Sequence, residues 1–256
     1  MAEKSPFLAG PMITDPRFFV GRQQELEIIL SRMIGDQPIS INLVGPKCIG
    51  KSSLLCHLYQ TYEERLSGKG VDPKNYAMVY LSVKGYDSEP KLYEKIADKL
   101  LKALPNNGIA QRLGFQQNPV KSQLQARPLN RHDFSQAIRD CKESEFLPVL
   151  CLDSFDNLGK KKNSFDLGFY ENLRSLMDSN DLMLIIASRQ PLDKLLPKHY
   201  YRSFFGNVGH SMTLKKSTKA DAETVARLPA FTSDDAFPAL SPNQQKLTLN
   251  WGKQHP

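Results

Sequence analysis

From Gly45 to Ser53 the chain reads Gly-Pro-Lys-Cys-Ile-Gly-Lys-Ser-Ser, two glycines bracketing four residues and followed directly by a lysine and a hydroxyl. That spacing suits a loop wrapped around an anion. Gly45 and Gly50 let the backbone turn its N–H groups inward, and Pro46, Lys47, Cys48 and Ile49 span the turn between them. Lys51 is expected to reach the β- and γ-phosphates of a nucleotide, and the Ser52 hydroxyl to sit on Mg²⁺. Cys48 reads as a loop filler rather than a nucleophile, and Ser53 as a residue of the helix face at the end of the cradle.

Two elements must position this loop. The apolar run Ile39–Val44 before it suits a buried strand, and Lys51–Tyr62 after it, free of Gly and Pro, alternates at helical spacing. A helix starting at Lys51 would also turn its positive N-terminal end toward the anion. The magnesium shell needs an acid from a neighbouring strand. Asp153, closing the apolar run Leu147–Asp153, is placed for that role. The next residue is Ser154, where a carboxylate could have activated water; a hydroxyl is a poor general base near neutral pH. Asp156, two residues on, is the candidate substitute.

Composition sets the broad class. The 256 residues are 40% hydrophobic and 24% charged, as in ordinary globular proteins, with no apolar run near the roughly 20 residues that a membrane helix needs. The N-terminal stretch lacks the apolar core of a signal peptide, which makes the cytoplasm the expected compartment. Cys48, Cys56, Cys141 and Cys151 show no metal-binding spacing and read as reduced thiols at core positions. His57 reads as a helix-surface residue. The formal charge of +7 permits attraction to nucleic acid, but the runs Lys160–Lys162 and Lys215, Lys216, Lys219 also suit solvated element ends.

The expected architecture is α/β: a P-loop NTPase with a parallel five-stranded sheet and helices on both faces. Strands are expected near Ile39–Val44, Tyr76–Val83, Leu147–Asp153, Leu182–Ser188 and His210–Leu214, with helices between them at Leu26–Ile34, after Ser88, from His132, at Phe165–Asp178 and at Thr218–Arg227. Residues 1–16 read as an N-terminal arm, 17–228 as the nucleotide-binding domain with an irregular insertion at 105–130, and 229–256 as a linker segment with a helical stretch at Gln244–Trp251.

The opening Phe19-Val20-Gly21-Arg22-x-x-Glu25-Leu26, the loop Gly45–Ser53, the Asp153-containing strand end and Ala187-Ser188-Arg189 together resemble the ATPase module of STAND-type and origin-recognition-like AAA+ proteins over roughly residues 17–230. The resemblance implies ATP or ADP with Mg²⁺ as ligands, and adenine contacts from Phe19, Val20 and Arg22. It further implies a γ-phosphate sensor at Ser188 with Arg189 adjacent, and an incomplete C-terminal lid starting within 229–256, with a lid contact beginning at His255 and Pro256. Ser154 departs from the acid usual in that family. The leading expectation is a nucleotide switch with slow or absent hydrolysis, signalling through a protein partner or self-association and using no membrane. An active ATPase acting on DNA and a non-hydrolysing scaffold are the alternatives.

Overall fold

Every residue from Leu147 to Asp153 is buried, which places this strand inside a sheet covered on both faces. In the computed structural model, which describes residues 12–104, 119–198, 209–231 and 241–247, it is β3 of a five-stranded sheet. The others are β1 (Ile41–Val44), β2 (Tyr76–Ser82), β4 (Met183–Ser188) and β5 (His210–Thr213). Their order is β2-β3-β4-β1-β5 and every neighbouring pair is parallel. Ile41 pairs with Ile185 and His210, and Ser82 with Asp153, so the strands end together along one carboxyl edge.

Period-two alternation divides the strand side chains between two cores. Leu150, Leu152, Leu184 and Ile186 face one layer with α3 (Glu89–Ala103), α4 (Pro119–Gln125), α5 (Arg131–Glu143) and α7 (Leu167–Asp178). Val149, Cys151, Met183, Ile185 and Ala187 face the other, with α1 (Gln23–Ile34) and α2 (Lys51–Ser67). In the first layer the Tyr93 and Phe134 rings stack at 4.1 Å. Arg131 grips both Glu89 carboxylate oxygens (2.8 and 2.6 Å) and reaches Asp166, tying α3, α5 and the start of α7 together. The described residues also form three short or peripheral helices, α6 (Asp156–Gly159), α8 (Leu192–Leu195) and α9 (Lys219–Phe231).

The sheet and its five strands follow the expected arrangement, and several local readings need correction. The span 105–130 is not irregular throughout: 119–125 forms α4, and Val120, Leu124 and Leu129 are fully buried. Gln- and Pro-rich surroundings hid an apolar pair at i and i+4, which is enough to dock one short helix. α9 runs through Pro229 to Phe231 rather than ending at Arg227. Ser88 holds the N-cap position of α3 but makes no side-chain cap bond. His57 is buried, whereas Cys48 is exposed. Residues 242–247 are helical; 248–256, with the expected lid contacts His255 and Pro256, lie outside the described residues.

Candidate functional site

Gly50 closes the loop in a left-handed conformation (φ 97°) and serves as N-cap of α2 without any side-chain hydrogen bond. A helix capped by glycine leaves its first N–H groups free to meet an outside acceptor, and no acidic residue occupies this first turn. At the other end, a Cβ added to Gly45 would come 2.9 Å from Ile49 Cγ2, so the loop closes too tightly there for a side chain. Cys48 also takes a positive φ of 66°.

The Lys51 ammonium donates to the carbonyls of Gly45 (2.6 Å) and Pro46 (2.8 Å), folding back over the loop it follows. Burial lowers its pKa, partly opposed by the carboxylates of Asp156 and Asp153. Ser52 Oγ donates to Asp153 Oδ2 at 2.9 Å across the carboxyl edge of the sheet. One hydroxyl and one carboxylate in contact suit Mg²⁺, which keeps most of its water and takes few protein ligands. Among the described residues no cluster of three or more His, Cys, Asp or Glu could form an all-protein metal cage.

These groups share a cleft of about 410 Å³ lined by loop residues Lys47, Cys48 and Gly50–Ser53, by Asp153 at the end of β3 with Ser154, Asp156 and Asn157 after it, and by Ala187 of β4 with Arg189 just past it. Met12, Ile13 and Lys84 complete its wall. Ser154 lies in the left-handed region (φ 62°), which costs a non-glycine residue about 1 kcal/mol or more. Three bonds hold the turn there. Asn157 Nδ2 donates to the Ser154 carbonyl (2.7 Å), the Phe155 N–H to Ala187 O (3.0 Å), and the Arg189 N–H to Asp156 Oδ1 (2.7 Å). Asp156 also faces the Arg189 guanidinium, with Nε 3.8 Å from Oδ2. Asp156 therefore fixes the end of β4, and its carboxylate is already engaged.

Several sequence candidates sit elsewhere. Ser188 is fully buried, its Oγ 2.7 Å from Gln190 O and 3.0 Å from Asn42 Oδ1, so its hydroxyl is turned into the fold while Arg189 lines the cleft. Phe19 stacks on His57 (4.2 Å between centroids) rather than lining the cleft, and Val20 is not among the lining residues. Arg22, left-handed at φ 61°, donates to Ile49 O (3.1 Å) and Glu25 Oε1 (2.9 Å), bracing the loop from behind. Ser53, by contrast, lines the cleft, and its Oγ accepts the Ile13 N–H at 3.0 Å.

Met12, Ile13 and Lys84 went unmarked in the sequence. Lys84 carried one usable signal, since it closely follows an apolar strand and open parallel sheets bind ligands at their strand ends. Met12 and Ile13 carried none.

Residues 36–196 match the family described as AAA domain. No curated protein matches the sequence. Among solved structures, the ORC1 protein of Aeropyrum pernix in complex with DNA aligns with 93% of this chain and 56% of its own at 13% identity and TM-score 0.60. A Walker-type ATPase of Pyrococcus abyssi aligns over 94% and 65% at 14% identity, TM-score 0.64. The ORC2 protein of Aeropyrum pernix in ADPNP-ADP complexes aligns over 80% and 49% at 12% identity, TM-score 0.52. The chain thus spans less than two thirds of each. At such identities the likeness is one of fold.

Proposed function

The chain belongs to the AAA domain family, and from that premise we propose that it is a nucleotide switch of the STAND type, binding ATP with Mg²⁺ and hydrolysing it slowly. The observation that carries the proposal is the turn after β3. Asp153 meets Ser52 in the cleft, whereas the next position is Ser154 and the nearby Asp156 is held by Arg189. A loop suited to phosphate, with no unengaged carboxylate after Asp153 in the turn that lines the cleft, supports binding over hydrolysis. The ADPNP-ADP complexes of the ORC2 protein, a fold relative, agree with nucleotide as the ligand class.

In this reading the N–H groups of the loop and of the first turn of α2 bind phosphate oxygens, and Lys51 leaves the Gly45 and Pro46 carbonyls to meet them. Ser52 and Asp153 would hold the cation, which would neutralise phosphate charge when bound. Arg189, on the strand end beside the loop, reports the γ-phosphate to β4. The ATP and ADP states are then read by a partner or by a second copy of the chain.

Thermal melting and turnover test this together. ATP·Mg at about 100 times its dissociation constant adds about 2.7 kcal/mol, which for a chain of this length raises the melting temperature by roughly 5–10 °C. Lys51→Ala should abolish the rise; equal melting of both proteins with nucleotide ends the reading. Turnover is expected well below about 1 s⁻¹. Ser154→Glu, which places a carboxylate at a cleft-lining position, should raise it by roughly 10-fold or more. A second reading, action on DNA, draws on the ORC1 complex with DNA and on exposed Lys160 and Lys162. It expects DNA affinity to fall steeply with salt, and no binding at low salt would end it.

A further inference from the structure

We propose that Lys84 contacts the terminal phosphate of the bound nucleotide and so distinguishes a triphosphate from a diphosphate; this rests on the nucleotide-binding reading above. The backbone places the residue. β2 lies beside β3, and the Val83 N–H donates to the carbonyl of Asp153 at 2.9 Å, so Lys84 directly follows a residue bonded to the metal-holding acid. Gly85 turns the chain with φ 97°, and Lys161 Nζ anchors the Tyr86 carbonyl at 2.6 Å. The root of the lysine is thus held on both sides while its side chain lines the cleft.

The other cations of the cleft differ in how they are engaged. Lys51 is bonded to the loop carbonyls, and Arg189 faces Asp156. Lys47 belongs to the loop itself and accompanies whatever the loop binds. Lys84 is exposed, forms no hydrogen bond or ion pair among the described residues, and follows β2, which lies on the other side of β3 from the loop-bearing β1. A phosphate chain cradled by the loop and directed toward Asp153 presents its last group to that side. The α- and β-phosphates are cradled by loop N–H groups in both nucleotides, so a cation on the far wall adds attraction only where a third phosphate is present. A flexible lysine suits this role because it acts as a point charge without fixed geometry.

The test is calorimetric titration of the protein with ADP and with a non-hydrolysable ATP analogue, each with Mg²⁺. Lys84→Gln should weaken the analogue by roughly 10-fold or more, as expected for loss of one charge-assisted hydrogen bond, and ADP by less than about 2-fold. Lys84→Arg should restore most of the difference. Lys74→Gln, an exposed lysine before the opposite end of β2, controls for general charge and should leave both affinities unchanged. Equal loss for both nucleotides, or no loss for either, overturns the role of Lys84 while leaving nucleotide binding intact. Failure of the unaltered protein to bind either nucleotide overturns the nucleotide reading and this proposal with it.

Discussion

Ser52 and Asp153 are joined by a 2.9 Å hydrogen bond although they lie 101 positions apart in the chain. The bond spans from the helix after β1 to the tip of β3, with β4 running between the two strands. A lone pair of Ser52 Oγ can hold a cation while its proton stays directed at Asp153, so the metal dependence of nucleotide affinity reads out both residues. Ser52→Ala and Asp153→Asn should each remove most of the gain in ATP affinity that Mg²⁺ confers, leaving metal-free binding within a few-fold of the unaltered protein. Titrations with Mg²⁺ and with a chelator check this. A variant that keeps the full magnesium effect would show that its residue does not hold the ion.

Gly21 fits no other side chain. Its φ is 79°, and an added Cβ would lie 2.7 Å from the carboxylate of Asp221. Asp221 in turn forms reciprocal bonds with Thr218 at the start of α9, accepting the Thr218 N–H (3.0 Å) while its own N–H reaches Thr218 Oγ1 (3.1 Å). Gly21→Ala should destabilise the protein by about 2 kcal/mol from left-handed strain and displacement of the carboxylate. Asp221→Ala alone removes a helix cap, costing about 1 kcal/mol. The double variant should recover part of the sum, because the clash is gone and only the backbone term remains. Strict additivity in chemical denaturation would show that the two sites do not press on each other.

The strands were legible because parallel strands covered on both faces carry almost no polar residues, as in Leu147–Asp153 and Met183–Ser188. The loop was legible because glycine spacing is itself the mechanism. Arg22 was visible as part of an opening motif, yet its side chain turns to the Ile49 carbonyl, a contact that depends on how α1 meets the loop. His57 read as a surface residue on its residue type; the segment carrying Phe19, far back in the chain, stacks on it and covers it. Ser154 was legible as a missing acid. Its left-handed backbone, and the loss of Asp156 to Arg189, were tertiary facts.

Arg22 braces the phosphate loop and should matter to stability before it matters to the ligand. Its side chain is only 10% exposed and shares an ion pair with Glu25, itself 22% exposed. Arg22→Ala leaves the Ile49 carbonyl and the Glu25 carboxylate without this partner, at a cost of about 1–3 kcal/mol. For a chain of this size that corresponds to a fall of roughly 3–10 °C in melting temperature. Nucleotide affinity should fall as well, since the loop loses a support, whereas Glu25→Gln should retain most of the affinity because the bond to Ile49 survives. A normal melting temperature in Arg22→Ala would show that the bracing contributes little.

His57 gives the protein an acid-sensitive term. Burial, reinforced by the neighbouring Arg65 guanidinium, pulls its pKa from the usual 6.5 to about 4. Arg65 Nη2 lies 3.1 Å from His57 Nε2 and can only donate, so Nε2 accepts and the ring is neutral with its proton on Nδ1, which has no hydrogen-bond partner among the described residues. The folded-state pKa is depressed, so the unfolded chain binds more protons between about 4 and 6.5, and stability rises with pH across that interval. The contribution is fully present above pH 6.5 and is lost as pH falls toward 4, amounting to on the order of 2 kcal/mol for a buried ring. His57→Phe keeps an aromatic partner for Phe19 and cannot be protonated, so it should flatten this part of the stability curve. Denaturation midpoints measured from pH 4.5 to 7.5 check the slope directly, and an unchanged pH profile in His57→Phe would place the acid sensitivity on another group.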